Sequence, residues 1–163
     1  MKQATWLHLI VVSKKNGKIR VFVDYEKLNA TTVTDAFLLP FTDGVLDAVA
    51  SYEIYSSLDG LNRHNQIRMH LVDQQKTTFV TEWGVFIAVV MMFGLKMTPM
   101  IFQRIIMEIF GEYILAFIEF FLDDFAVYRR KEEHLDHLWM CLAKCLGFRL
   151  SLNTTKCVFD VRT

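Results

Sequence analysis

The sequence predicts an α+β fold in one domain spanning 1–163, and three observations carry that reading. A hairpin signature sits near the N-terminus, two helical segments with recognisable ends occupy the second half, and short apolar strands are scattered irregularly between them. Irregular interleaving with antiparallel hairpins argues against a doubly wound parallel sheet. At 163 residues and 53% hydrophobic content, the chain can bury a sizeable core. No Pro/Gly/Ser-rich linker, repeat or low-complexity tract marks an internal boundary.

Taken in order, Leu7 to Val12 reads as a strand, and Asn16-Gly17 is a hairpin turn leading into a second strand, Lys18 to Val23. Thr42 to Val49 suits a short helix. Glu53 to Leu58 is a strand that ends at Asp59-Gly60. Lys76 to Thr81 and Val85 to Met91 form a strand pair around Glu82-Trp83-Gly84. Thr98 to about Leu115 is a helix with Thr98 as N-cap and Pro99 in the first helical position. Phe117 to Leu122 and Phe125 to Tyr128 are apolar strands flanking Asp123-Asp124. Glu132 to Leu146 is a second helix, stopped by Gly147. Phe148 to Leu152 and Lys156 to Phe159 finish the chain as short strands.

Composition excludes several classes. Cys141, Cys145 and Cys157 are an odd, widely spaced set, which suits buried thiols in a reducing compartment and not a disulfide framework. The N-terminal run MKQATWLHLIVV lacks the layout of a secretion signal, and Tyr113 to Leu122 is too short to span a bilayer and contains Glu119. A cytoplasmic protein without a membrane partner is expected. Asn153-Thr154-Thr155 matches a glycosylation sequon by accident in that setting. The formal net charge is zero, so any phosphate-binding footprint has to be local.

Asp123-Asp124 interrupts one of the most hydrophobic stretches, FIEFFLDDFAVY. Two adjacent carboxylates repel, and partial burial penalises both. A plain hairpin turn would also account for the pair. Asp59, however, ends another apolar strand, IYSSLD. If the two strands are neighbours, three carboxylates converge at one sheet edge, an arrangement that a hard divalent cation would neutralise.

The blocks VVSKKNGKIRVFVDYEKLNATT, YSSLDG, NQIRM, DQQKTTFVTEWGVF, FGLKMTP, FQRIIMEIF, FLDDFAVY and LSLNTTKCVF follow one another in that order. In content, order and spacing the chain resembles the reverse transcriptase of gypsy-type LTR retrotransposon Pol polyproteins over essentially its whole length. The resemblance implies the fingers and palm of a right-hand RNA-directed DNA polymerase. Its palm would be a ferredoxin-like antiparallel sheet packed on helices, without thumb, connection or RNase H. By position it implies Asp59 and Asp123 as the stronger metal ligands and Asp124 as a supporting carboxylate. Two Mg2+ ions would be the cofactors, with Mn2+ as the alternative.

The resemblance further implies that the backbone from Gly60 to Arg63 lies near a bound triphosphate. It places Lys14, Lys15 and Arg20 on a fingers hairpin that holds that triphosphate, and Phe93 and Gly94 beside the base and template. The Lys14–Lys18 segment could also be a solvated hairpin tip, and Phe93 could equally be core. Implied partners are an RNA or DNA template with primer, deoxynucleoside triphosphates, and the protease, RNase H and integrase of the same polyprotein. The implied setting is a cytoplasmic retroelement particle with access to the nucleus.

The chain departs from the family pattern at several positions. His64 stands where a larger aromatic gate against the sugar 2′-position is usual, which weakens the basis for sugar selection. Leu61, Asn62, Arg63, Glu26, Met92, Met97, Thr98, Met100 and Ile101 also differ, several being bulky residues for small ones. A degenerate, inactive relic with weak nucleic-acid binding is therefore the competing reading, and a nucleotidyl cyclase with the same carboxylate geometry leaves the other blocks unexplained. His134, His137, Cys141 and Cys145 share one helical stripe, yet it runs about 16 Å, too long for one tetrahedral zinc ion. Leu135, Leu138, Leu142 and Leu146 are expected to form an adjoining core face.

Overall fold

A computed structural model describes residues 6–15, 17–34, 37, 52–61, 63–121 and 124–162. The chain forms two compact units, each built from two stretches of sequence. One combines Met1–Ala36 with His64–Pro99, and the other combines Phe37–Arg63 with Met100–Thr163. The helix expected at Thr42 to Val49 lies outside the described residues.

In the first unit, β1 (Ile10–Lys15) and β2 (Lys18–Val23) pair antiparallel from Ile10↔Val23 to Lys15↔Lys18. Gly17 takes φ +76, the left-handed turn position that glycine adopts without strain. That tight turn carries the ladder up to Lys15, three residues beyond the expected end at Val12. The expected start belongs to another contact: His8 bridges Phe79 in parallel, and its ring nitrogens bond the carbonyls of Asp24 (2.9 Å) and Lys76 (3.0 Å).

Next comes α1 (Glu26–Thr31), a helix with no counterpart among the sequence expectations. The Asp24 carboxylate accepts the Glu26 N–H at 2.9 Å at its start, and the Thr31 and Thr32 hydroxyls donate back to Leu28 O at its end. Val23, Tyr25 and Leu28 form the core here, packed with Ile10, Phe79, Met92 and Leu95. Burial pushes the Tyr25 phenol up to about 12.

The strand pair expected from Lys76 to Met91 is much shorter. A one-turn helix, α2 (Leu71–Gln74), and a 3-10 turn (Gln75–Thr77) occupy its approach, leaving β4 (Phe79–Thr81) and β5 (Gly84–Phe86). The Thr77 and Thr78 hydroxyls donate to Gln74 O and Gln75 O, both at 2.7 Å, and so close helical turns where β-branched residues suggested a strand.

The second unit is a four-stranded antiparallel sheet with two helices. β3 (Ile54–Asp59), β6 (Ile118–Phe121), β7 (Asp124–Arg129) and β8 (Val158–Arg162) lie in the order β6-β7-β3-β8. α3 (Thr98–Phe110) ends short of the expected Leu115, where Tyr113 N–H donates to Phe110 O at 2.7 Å and a turn begins. Phe110 is fully buried, with ring centroids of Phe120 and Phe125 at 5.0 and 6.1 Å.

α4 (Lys131–Gly147) lies against β3 and β7 and buries His134, Leu138, Cys141 and Cys145. Leu135 and Leu146, expected in the core, are instead exposed, because the histidine–cysteine stripe is the one that faces the sheet. Gly147 is the last helical residue, with Phe148 at the cap. Leu150 N–H returns to Cys145 O at 2.8 Å and Arg149 takes φ 57. This turn replaces the strand expected over Phe148 to Leu152, of which only a single bridge, Leu152 to Gly60, remains. At the opposite edge Lys144 binds Glu112 at 2.6 Å and Ile109 O at 2.9 Å, tying α4 to the C-terminal turn of α3.

Two outcomes follow. Phe110→Ala should lower unfolding free energy by about 3–5 kcal/mol, measured by denaturant melts. Burial holds the His134 imidazole below its ordinary value, the nearby Asp160 charge opposing and His137 adding to the effect. The unfolded chain therefore binds more protons than the folded one just below its ordinary value, and stability should fall as pH drops below about 6.5. Melts at stepped pH should show that loss diminished in His134→Gln.

Candidate active site

The site in the second unit begins with strand register. β3 and β7 pair residue for residue, Leu58↔Phe125 and Asp59↔Asp124. Directly opposed residues of an antiparallel pair share a face, so Ser56, Leu58, Phe125 and Val127 turn one way, into the core. Tyr55, Ser57 and Asp59 turn the other way with Tyr128, Ala126 and Asp124. The apolar residues of both strands thus fix where two carboxylates emerge together, at the strand end. Asp123, immediately before β7, lies outside the described residues.

Asp59 is 8% exposed and is held by the segment that precedes β8. Its carbonyl accepts Asn153 N–H at 2.8 Å, its N–H reaches Cys157 Sγ at 3.4 Å, and Leu61 N–H donates to Ser151 O at 2.9 Å. Gly60 bridges Leu152. The Lys156 ammonium lies 3.2 Å from Asp59 Oδ2. Lys156 was not singled out in the sequence; its place in the LSLNTTKCVF block was the available signal. Asp124, by contrast, is exposed. The two carboxylates therefore differ: one is fixed and covered, the other open to solvent.

Arg63 and His64 open a 3-10 turn, Arg63–Gln66. In the first unit, the pairings Ser13↔Arg20 and Lys14↔Ile19 place Arg20 and Lys14 on opposite faces of the β1–β2 ribbon. Both are exposed. Arg20 shares its face with Phe22, whose ring is tilted against Phe93 at 5.4 Å. Phe93 is 63% exposed, so it is a surface ring resting on Phe22 and not a core residue. Lys15 pairs with Lys18 at the turn.

Gly94 takes φ +101, and a Cβ there would stand 3.4 Å from Val23 O and 3.7 Å from the Tyr25 ring. Asn29 clamps this loop, donating to Gly94 O at 2.7 Å and accepting Lys96 N–H at 2.8 Å. The structure thus brings Arg20, Phe93 and Gly94 to one unit and Asp59, Gly60 and Asp124 to the other. Among the described residues no helix is long and apolar enough to cross a membrane. The histidine–cysteine stripe is engaged in packing: His134 Nε2 lies 2.8 Å from Ser56 Oγ, and burial pushes the Cys141 and Cys145 thiols up to about 12 and 11.

Residues 12–162 match the family model described as reverse transcriptase (RNA-dependent DNA polymerase), and the chain belongs to that family. The Tf2-3 transposon polyprotein of Schizosaccharomyces pombe is 31% identical over 152 residues, 93% of this chain and 11% of that relative. Tf2-7 of the same organism is 30% identical over the same coverage. The chain thus spans about a tenth of these curated relatives, which bear out the likeness to retrotransposon polyproteins. The foamy viral protease-reverse transcriptase bound to an RNA/DNA hybrid superposes with TM-score 0.87 at 19% identity, covering 98% of this chain and 22% of that one. Its complex with double-stranded DNA gives 0.88 at 18%, covering 99% and 28%. These likenesses establish the α+β polymerase fold.

Gly94→Ala should destabilise the first unit by about 1–3 kcal/mol, because alanine at this φ is strained whatever space is available. The check is a melt of the variant beside wild type.

Proposed function

We propose that the chain is the fingers-and-palm part of an RNA-directed DNA polymerase within a longer Pol polyprotein. It extends a primer 3′-hydroxyl with deoxynucleotides on an RNA or DNA template. The hairpin unit serves as fingers and the four-stranded unit as palm, one catalytic domain in two parts. The observation that carries this reading is the direct register of Asp59 opposite Asp124, in a chain whose family match runs from 12 to 162.

The donors suit hard dications. Asp59 and Asp124 present carboxylate oxygens at one strand end, and Asp59 already draws the Lys156 ammonium to 3.2 Å. Asp59, Asp123 and Asp124 would hold two Mg2+ or Mn2+ ions. These supply, when bound, the Lewis acidity that activates the 3′-hydroxyl and offsets charge on the pyrophosphate leaving group.

The chain's own residues do the positioning. The bonds to Asn153 and Cys157 fix the Asp59 main chain, and the Lys156 ammonium at 3.2 Å holds its carboxylate. Arg20 offers a planar guanidinium that can bridge two phosphate oxygens, with Lys14, Lys15 and Arg63 adding positive charge near a triphosphate. Phe93 offers an exposed aromatic ring for a base, on a loop held by Asn29 and Gly94. His64 occupies the chain position of the sugar gate in this reading, and an imidazole there leaves discrimination against ribonucleotides weak. No side chain is assigned as a general base.

Asp59→Asn and Asp124→Asn, each made in the polyprotein, should lower magnesium-dependent primer extension by at least about a hundredfold. Melts of both variants should stay close to wild type. Extension that is unchanged in both sinks the polymerase reading. Wild-type protein that is folded yet binds no deoxynucleotide with magnesium in calorimetry, and extends nothing, makes the chain the inactive relic.

A further inference from the structure

β8 departs from a regular ladder at its centre. The partners of Tyr55 and Ser57 are Val161 and Val158, so β8 carries one residue more than β3 between them. The extra residue makes a β-bulge opposite Ser56. Asp160, inside it, takes φ 56, a region that residues other than glycine seldom enter. Its N–H donates to a side chain, Ser56 Oγ, at 3.2 Å.

Ser56 is fully buried, and the same oxygen lies 2.8 Å from His134 Nε2 on α4. A hydroxyl has one hydrogen to give. Among the described residues its acceptor is the imidazole, which sets the ring as the neutral tautomer with its proton on Nδ1. That Nδ1 is buried without a hydrogen-bond partner among the described residues. The other tautomer would leave two groups unsatisfied, Nδ1 and the Ser56 hydroxyl, in place of one. A proton added at Nε2 turns the acceptor into a second donor, strands the hydroxyl hydrogen and buries a charge.

The charges facing the ring are few. Asp160 on β8 favours the protonated form, His137 one turn along α4 disfavours it, and burial outweighs Asp160. The Cys141 and Cys145 thiols, pushed up by burial, stay neutral. β3 turns Ser56 and Leu58 inward and β7 turns Phe125 and Val127, all uncharged. Arg129 and Glu133 pair with each other at 3.5 Å, and Asp59 and Asp124 lie on the other face of the sheet.

From this geometry we infer that the Ser56–His134 contact latches β8 onto the palm sheet, and that protonation of His134 opens the latch in mild acid. Asn153, Lys156 and Cys157, the bonding partners of Asp59, stand immediately before β8, so opening loosens the support of that carboxylate. The open state takes up a proton that the closed state refuses. Its population therefore rises as pH falls below about 6.5, by at most about tenfold per pH unit. That loosening slows catalysis only on the polymerase reading; the latch itself stands on the geometry.

Amide hydrogen exchange of the full chain, corrected for the chemical rate at each pH, tests this. Between about pH 7.5 and 5.5 the Asp160, Asn153 and Leu61 amides should open at least about threefold more, while amides of the β3–β7 ladder stay unchanged. Ser56→Ala should raise Asp160 exchange already at the higher pH. His134→Gln, whose amide oxygen can still accept from Ser56 but does not titrate, should abolish the pH step. Exchange that rises equally in the β3–β7 ladder is global unfolding and overturns the latch. So does wild type without a step, or a step that survives in folded His134→Gln. The wild-type titration needs no variant, so it decides the matter even if a variant fails to fold. Primer extension plays no part in the measurement, so the latch and the polymerase reading fail separately.

Discussion

The antiparallel register between β3 and β7 is the constraint on which the rest of the palm unit depends. Side chains alternate across a strand, so a slip of one residue would turn Leu58 and Phe125 outward and drive Asp59 and Asp124 inward. Burial of Leu58, Phe125 and Val127 excludes that slip, since each is worth about 1.5–3 kcal/mol relative to exposure. The same face holds Ser56 against His134, a polar contact that only the native register satisfies. Carboxylate placement is thus a by-product of hydrophobic packing. The acids themselves contribute nothing favourable to the fold until something positive approaches them, and Lys156 is the group positioned to do so.

Much of this was legible because the signals are local. Asn16-Gly17 fixed a hairpin, Asp59 and Asp124 fell at the ends of apolar runs, and the order of short blocks tied them to a polymerase. What escaped reading depends on competition between local and distant bonds. Thr77 and Thr78 look like strand residues, but their hydroxyls find carbonyls one helical turn back. Asp24 capped a short helix whose few residues carry no visible periodicity. On α4 the leucines are the expected core face, and apolar spacing alone does not show that the sheet covers the His/Cys stripe with Leu138 and leaves Leu135 and Leu146 outside. For the site, residue types were readable but not sides: Lys14 and Arg20 lie close in the chain yet on opposite faces of their ribbon. Lys156 was invisible as a partner of Asp59 because proximity came through β8 and its preceding turn.

The two units hold their loops in different ways. The carboxylate end of the palm is secured by main-chain bonds from a distant segment. The Phe93–Lys96 loop is anchored through side chains: Asn29 bonds both the Gly94 carbonyl and the Lys96 amide, the Lys96 ammonium lies 3.0 Å from Thr34 Oγ1, and Gly94 leans on Val23 and Tyr25. The exposed ring of Phe93 thus rides on a loop anchored by side chains, and Asp59 sits at a strand end anchored chiefly by main-chain bonds.

The bonds that secure Asp59 also set a timetable for the protein's birth. Its partners Asn153, Lys156 and Cys157 come from the far end of the sequence, with Lys156 97 residues later. At about 5–20 residues per second, translation delivers them roughly 5–20 s after Asp59 has been made. For that interval β3 has an unpaired edge on the β8 side, the kind of surface that recruits stray strands. Neighbouring nascent copies on one messenger would share that exposure. Each copy's exposed edge closes only when its β8 docks.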